Sequence, residues 1–206
     1  IGFQPNGVTK EDGSNYTGTV TVKMPANRFN EANRQFPGDE RGLTSTNQKV
    51  VLESWGGMEV EIYGASGEKL KPGKPVNYTY QIGYQYTYLQ SDLKLWAYNE
   101  AEGIWIESGT AKLAGQTFTG STLNLSYLQF AYDHSSILLR AHILDKNRNI
   151  PVGFEFRYAM REFNNIGLPS ALVSSSGTVL LYIPLRISIR TFLNSPCGDC
   201  LETNYD

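Results

Sequence analysis

Apolar and polar residues alternate along most of this 206-residue chain, which is the two-residue period of a half-buried β-strand. The longest alternating block spans residues 49–63 and is interrupted only by Gly56-Gly57. Because a glycine pair between two alternating runs is typical of a tight turn, it predicts a hairpin. Residues 93–98 and 104–106 alternate in the same way, and the Asn- and Gly-containing segment 99–103 between them predicts a second hairpin.

The flanking segments add shorter strands and one long irregular region. Residues 18–24 alternate and predict a strand that ends at Pro25. Residues 26–47 are charged and have no clear period, so they predict a long loop, a class of segment that is often functional. Residues 116–119 and 126–132 predict further strands.

The alternation of apolar and polar residues starts again at about residues 133–136, so these residues predict a boundary between two domains. Beyond it, residues 137–144 predict a strand and residues 145–149 a turn. The next predicted strands cover residues 152–158, 168–174, 178–183 and 186–193. The sequence therefore predicts an all-β, antiparallel protein with a sandwich-like domain over 1–136 and a smaller β-sandwich over 137–206.

Composition narrows the classes of partner. Charged residues make up 18% of the chain and the net charge is −2, so no basic surface for nucleic acid is expected. No apolar run is long enough to cross a bilayer, which predicts no membrane span. The start at Ile1, without a signal-like segment, is expected of a mature product or a fragment that has lost an export signal.

The two cysteines, Cys197 and Cys200, form the only C-x-x-C pair. A zinc site would need two further ligands, and the chain has just two histidines, His134 and His142. A redox pair would need a helix N-terminus, whereas Pro196 follows a β segment here. In an exported protein the pair favours a local disulfide, with free or otherwise paired thiols as the alternative. No metal or cofactor is predicted.

Residues 145–149 have the Asp-x-Asn-x-Asn spacing that opens a calcium loop. The required glycine and terminal glutamate are replaced by Ile150 and Phe156, so the segment predicts a polar turn instead. Asp39 and Glu40 in the long loop offer carboxylates for calcium as a separate, weaker hypothesis.

The sequence does not favour catalysis. No serine lies in a Gly-x-Ser-x-Gly turn, and His134 or His142 would have to serve as the base. A glycosidase site needs two carboxylates that face each other, one of them with a raised pKa. The glutamates near the turns instead lie at positions that predict solvent-exposed surface. The chain is therefore predicted not to be an enzyme.

A row of tyrosines is the best binding candidate. Tyr78, Tyr80, Tyr84, Tyr86 and Tyr88 share one parity and would lie on one face of a continuous strand. Exposed aromatic rings suit a glycan or a protein partner. The alternative is that these residues are simply good strand formers whose rings are half-buried between sheets.

Apart from the alternation of apolar and polar residues, several separated sequence segments resemble an extracellular β module of secreted Bacteroidetes surface proteins. This module is also found in astroprincin-like and cartilage intermediate layer protein-like chains. The matching segments are Phe-Pro-Gly-Asp at 36–39, residues 52–61, Gly-Glu-Lys-Leu-Lys-Pro-Gly-Lys at 67–74, residues 95–100, 103–109, 118–120 and 126–133. In that family a carboxypeptidase-regulatory-like, transthyretin-like sandwich follows, and residues 137–193 are similar to it. The resemblance carries no catalytic residues.

The resemblance implies an exported, extracellular or cell-surface module that spaces, adheres or assembles through protein–protein contacts. Because a short sandwich can leave a strand edge unpaired, a second copy or another surface or matrix protein is expected to add a strand there, as in a surface assembly or fibre. Two alternatives remain: a carbohydrate-binding module that uses Tyr78 to Tyr88, and an accessory domain of a larger secreted enzyme.

Overall fold

The computed structural model describes residues 1–24, 37–81, 92–160, 170–186, 188–195 and 200–204. The protein is all-β, with antiparallel sheets arranged as a sandwich, as the alternation predicts. The strands are β1 (Val8–Lys10), β2 (Thr21–Lys23), β3 (Arg41–Leu43), β4 (Lys49–Glu59), β5 (Glu61–Tyr63), β6 (Leu70–Pro72), β7 (Val76–Gln81), β8 (Leu93–Asn99), β9 (Ile104–Ala114), β10 (Thr117–Thr122), β11 (Tyr127–His142), β12 (Glu155–Met160), β13 (Ser170–Leu172), β14 (Thr178–Pro184), β15 (Ile189–Asn194) and β16 (Cys200–Asn204).

Strands β4, β11 and β8 form a central layer that is covered on both faces. β11 pairs antiparallel with β4 on one side and with β8 on the other. Residues 50–58 of β4 are all buried, and so are residues 128–131 of β11. An uninterrupted buried run of this kind is expected of a strand with apolar neighbours on both faces.

The first face of this layer is enclosed by a closed ring of pairings. β4 pairs with β3, β3 with β9 in parallel, β9 with β8, β8 with β11, and β11 with β4. We call these five strands the ring. Its interior holds a compact buried cluster, whose members are Val50, Leu52, Trp96, Trp105 and Ala131.

β3 lies inside the segment that the sequence predicts as a loop, so that prediction is wrong for residues 41–43. Gly42 is the central residue of β3 and points into the ring. A Cβ atom there would come within 2.9 Å of side-chain atoms of both Leu52 and Trp96. The closing strand therefore carries glycine because the large indole occupies the space that a side chain would need.

The second face of the central layer packs against β7 and β10. These strands pair with each other, and β10 also pairs with the end of β9. The cluster between the layers joins Tyr78 of β7 and Phe118 of β10 to Leu95 and Phe130 of the central layer. Phe118 and Phe130 stack with their ring centroids 5.3 Å apart.

Gly56-Gly57 does not form the predicted hairpin. β4 continues through both glycines, and its register with β11 slips there, so that Trp55 and Gly56 lie opposite Phe130 alone. This is a β-bulge, and Gly56 has a φ of 136°, which a side chain would disfavour. The predicted turn at residues 99–103 is confirmed: it joins β8 to β9, and its Gly103 N–H donates to Asn99 O at 2.8 Å.

β11 is one strand of 16 residues and runs without interruption through residues 133–136. Its first part belongs to the central layer, and its second part pairs with β14. The predicted division between residues 136 and 137 thus falls inside a strand that both parts of the molecule share. The assignment of two domains stays a prediction.

The C-terminal region packs β14 and the end of β11 against a second sheet, with strand order β13-β12-β15-β16. Its core joins Phe156 and Tyr158 to Val179 and Leu181, and it also includes Val51 of β4. The strands predicted near residues 152–158, 168–174, 178–183 and 186–193 are confirmed with shifted ends, whereas β16 had no sequence-based prediction.

Candidate functional site

The predicted tyrosine row is a core feature where the structure describes it. Tyr78 is 3% exposed, and its hydroxyl donates to Thr110 O at 3.4 Å. Tyr80 packs against the same cluster with its ring centroid 4.9 Å from that of Phe130. The two rings do share a face, but that face points at the central layer, so Tyr78 has no free ring surface for a ligand. Tyr84, Tyr86 and Tyr88 lie outside the described residues.

Burial also changes the chemistry of the Tyr78 phenol. Removal from water disfavours the charged phenolate and raises the pKa of Tyr78 to about 12. A neutral, buried phenol that bonds a backbone carbonyl stabilises the packing of β7 against β9. This matches the alternative, packed role that the alternation also allowed.

The described residues do not test the predicted disulfide, and they form a turn where the calcium-like spacing lies. Cys197 lies outside the described residues, and Cys200 is the first residue of β16, where the backbone alone is described. Asp145 Oδ1 accepts bonds from the N–H groups of Asn147 and Asn149 at 2.8 and 2.7 Å. These bonds hold the pKa of Asp145 below its usual value and make the segment the predicted polar turn.

In the long loop, Asp39 forms an ion pair with Arg41, with Oδ2 2.7 Å from Nε. Across the described residues, no group of three or more His, Cys, Asp or Glu side chains is arranged to hold a metal ion.

A buried carboxylate that the sequence analysis missed lies where the two cores meet. Glu53 is 1% exposed and lies between Val51 and Trp55 on one face of β4. Trp55 Nε1 donates to its Oε1 at 2.9 Å, and His134 Nε2 lies 2.7 Å from its Oε2. Trp55 is placed by its position two residues along β4, and His134 by the pairing of β11 with β4. The i, i+2 spacing of Glu53 and Trp55 was the available signal, since it places both side chains on one face.

A second polar group lies at the end of the ring. Lys94 Nζ is 2.9 Å from Asp133 Oδ2 and 3.4 Å from Glu107 Oε2. Burial alone would lower the pKa of Lys94, but the hydrogen bond and charge of Asp133, with the charge of Glu107, outweigh it and raise the pKa. Glu107 also accepts a bond from Ser45 N at 3.0 Å. This network links β8, β9 and β11 through charge.

β14 is the terminal strand of the eight-stranded sheet, and in the described part of the chain its outer edge pairs with no other strand. The direction of its backbone groups follows from two bonds at its ends: Leu185 N donates to Ser135 O, and Ile143 N donates to Gly177 O. In an antiparallel pair such bonded positions recur at every second residue. Residues 179, 181 and 183 therefore bond to β11, and residues 178, 180 and 182 point their N–H and C=O groups to the outer edge.

Part of this outer edge is already occupied by the protein. At the beginning of the strand, Ser174 N donates to Thr178 O and Thr178 N donates to Ser174 Oγ. Further along, the buried Tyr158 hydroxyl donates to Tyr182 O at 3.1 Å, and burial raises the pKa of this phenol so that it keeps its proton. Pro184 has no N–H to offer. Among the described residues, the outward-pointing groups for which no hydrogen-bond partner is found are the N–H and C=O of Leu180 and the N–H of Tyr182.

The side chains beside this edge are apolar and exposed. Leu180 is 56% exposed, and Leu138, which lies beside Tyr182 in the register, is 53% exposed. Lys49 Nζ lies 3.3 Å from the Tyr182 hydroxyl and covers one end of the patch. We call the β14 backbone groups together with Leu138 and Leu180 the β14 edge. Two exposed leucines beside open backbone groups form a surface that favours contact with another chain.

A separate surface groove of about 630 Å³ lies between β6, the β8–β9 turn and the segment that precedes β11. Its polar groups include Glu100, Asn124 and Ser126, and its apolar wall includes Ile106 and Leu125. Asn124 Nδ2 already donates to Ser108 Oγ at 2.8 Å, whereas Ser126 Oγ lies 3.5 Å from Glu100 Oε1. The groove has the size of a small-ligand site.

Within the part of the chain that the structure covers, no helix has the length and apolar character needed to cross a membrane. Comparisons with protein-family models, curated proteins and solved structures find no match to this chain. The resemblance to secreted surface modules therefore stays a prediction that its spaced signatures carry.

Proposed function

We propose that this chain is a non-catalytic module of an exported cell-surface or extracellular matrix protein, and that it acts through protein–protein contacts. The observation that carries the proposal is the β14 edge. It combines a terminal strand, backbone donors and an acceptor that point outward, and two exposed leucines. These are the elements that strand addition uses, since backbone bonds give affinity and alternate side chains give specificity.

The partner named by this proposal is a second copy of the chain or a strand of another surface protein. Leu180 offers one N–H and one C=O from the same residue, so an antiparallel strand can bond to both. Because Thr178 and Tyr182 O are occupied on either side, the added strand would be short and centred on Leu180. A contact of that length fits weak, repeated association in an assembly rather than a tight dimer.

Native mass spectrometry and light scattering over a range of protein concentrations test the self-association. We expect concentration-dependent oligomers that Leu180→Lys abolishes, because an edge lysine blocks the approach of a strand. Leu123→Lys is the matched control, since Leu123 is 55% exposed and lies away from β14. A chain that stays monomeric at millimolar concentration, with no binding of a peptide that copies residues 178–184, would refute strand addition at this edge.

A glycan ligand is the second candidate function, and the groove beside the β8–β9 turn is the observation that favours it. Amide, hydroxyl and carboxylate groups beside aliphatic walls match the mixed surface of a saccharide. Glycan-array binding that is lost in a Glu100→Ala, Ser126→Ala double variant supports this function. Silence across the array counts against it and leaves the β14 edge unaffected.

A further inference from the structure

The interior of the ring contains polar side-chain atoms that have no hydrogen-bond partner. Gln129 is 0% exposed, and both its Oε1 and its Nε2 are unpaired. Trp96 is equally buried, and its indole Nε1 is unpaired too. An unsatisfied buried donor or acceptor destabilises a fold, so a buried donor and a buried acceptor on neighbouring residues point to a shared partner.

The two residues that carry these atoms are neighbours across two strands. Gln129 and Trp96 are direct partners in the antiparallel register of β11 and β8, and cross-strand partners point to the same face of a sheet. On its other side, Gln129 is paired with Gly57 of β4, which has no side chain to contact it. The unpaired groups therefore belong to neighbouring residues on one face of the sheet, and position 57 adds no side chain beside them.

The chemistry of the groups defines what would bind between them. The indole N–H of Trp96 is a donor only, while Gln129 provides one acceptor oxygen and two amide donors. A ligand that joins Trp96 to Gln129 Oε1 must accept one hydrogen bond and donate another. The neighbouring Glu107, which pairs with Trp96 across β8 and β9, already bonds to Lys94 and Ser45, so the ligand needs no charge.

The size of the ligand is limited by the side chains that fill the ring. Two tryptophans, Val50, Leu52 and Ala131 are all buried there, and a Cβ atom added to Gly42 would come within 2.9 Å of Leu52 and Trp96. We propose that the ring binds one water molecule, which accepts from Trp96 Nε1 and donates to Gln129 Oε1. This site is independent of the β14 edge, and it bridges β8 and β11 through their side chains.

The three tryptophans of the chain give the test its readout, because each provides one indole N–H signal in an NMR spectrum. A water held in this interior exchanges slowly, so the Trp96 indole proton should show a cross-peak to water with the sign of a long-lived contact. Trp55 is the internal control, since its Nε1 bonds directly to the carboxylate of Glu53. Trp96→Phe assigns the signal.

Gln129→Met keeps the side-chain length and removes the polar atoms. We expect this variant to remain folded and to lose the cross-peak between the Trp96 indole and water, because the water has lost the group that it donates to. Absence of that cross-peak in the wild type overturns the proposal. A cross-peak that persists undiminished in the folded Gln129→Met protein also overturns it, since Gln129 would then have no part in holding water.

Discussion

The two parts of β11 are the same strand in two different surroundings. Residues 127–135 pair with β4, residues 128–131 also pair with β8, and this shorter stretch is buried without interruption. Residues 136–142 pair with β14 alone, and exposed residues recur among them, including Leu138. Within one strand, the number of covered faces changes from two to one.

This difference teaches that composition does not decide which part of the strand is core. Both parts are rich in apolar residues, yet Leu128 is fully buried and Leu138 is half exposed. Enclosure by β3, β9, β7 and β10 makes the first part a scaffold. The absence of a second cover over the described C-terminal part leaves an edge that is available for contact. The function is therefore proposed for the C-terminal part of β11 and the neighbouring β14, where only one face is covered.

Loss of a ring tryptophan should have the largest effect on the free energy of unfolding. Trp105→Ala removes a fully buried indole from the ring, and we expect the free energy of unfolding to fall by about 3–5 kcal/mol. Leu138→Ala on the exposed part of β11 should change it by no more than about 0.5 kcal/mol. Urea denaturation followed by circular dichroism measures both. Equal losses would mean that the ring interior around Trp105 and the C-terminal part of β11 are equally enclosed.

Removal of His134 tests the junction between the parts. His134→Ala leaves the buried Glu53 carboxylate with Trp55 as its remaining described partner, and we expect a loss of about 1–3 kcal/mol. A double-mutant cycle with Glu53→Gln should show coupling between the two sites. Lys112→Ala is the control, because its ion pair with Asp92 is exposed to solvent and contributes little to stability.

Gly42→Ala tests whether the ring is packed to its limit. The added methyl group would meet Leu52 and Trp96 at 2.9 Å, and overpacking of this kind costs about 1–3 kcal/mol. Gly2→Ala serves as the control, since the nearest atom to its Cβ would be Asn77 Cβ at an ordinary 3.9 Å. If Gly42→Ala were as stable as Gly2→Ala in urea denaturation, the ring interior would be loose.

Tyr78 gives the smallest and most specific test, through pH. Its pKa is raised by burial from 10.0 to about 12, so the folded state holds a proton that the unfolded chain releases earlier. The stabilisation is present in full below pH 10.0 and is lost as the pH rises through about 12. Phenolate absorbance should show one late-titrating group missing in Tyr78→Phe, and the stability of that variant should fall less steeply over this range.

The sequence predicted the all-β class and most of the strands, because the two-residue period survives wherever one face is covered. It failed where glycine has more than one use and where a strand is too short to show a period. Gly56-Gly57 is a bulge inside β4 rather than a hairpin, and the two arrangements differ only in what lies across the strand. Gly42 looked like part of a loop because a strand of three residues has no period to detect.

The candidate site was less predictable than the fold. Tyr78 and Tyr80 alternate as an exposed row would, but parity alone does not say whether a face points to solvent or to a second layer. The sequence analysis did not single out Glu53, and its carboxylate is bonded to Trp55 and to His134, which lies far along the chain. The sequence led to the expectation of an unpaired strand edge, but it did not show that β14 would form it.

By itself, the sequence determined the strand period, the turn at residues 99–103, the polar turn at 145–149 and the low charge, because each depends on residues close together in the chain. The tertiary structure alone decided the closure of the ring, the burial of Glu53 and Gln129, and the exposure of Leu138 and Leu180. These features depend on which strands become neighbours, and pairing over such sequence distances is set by packing and not by local preference.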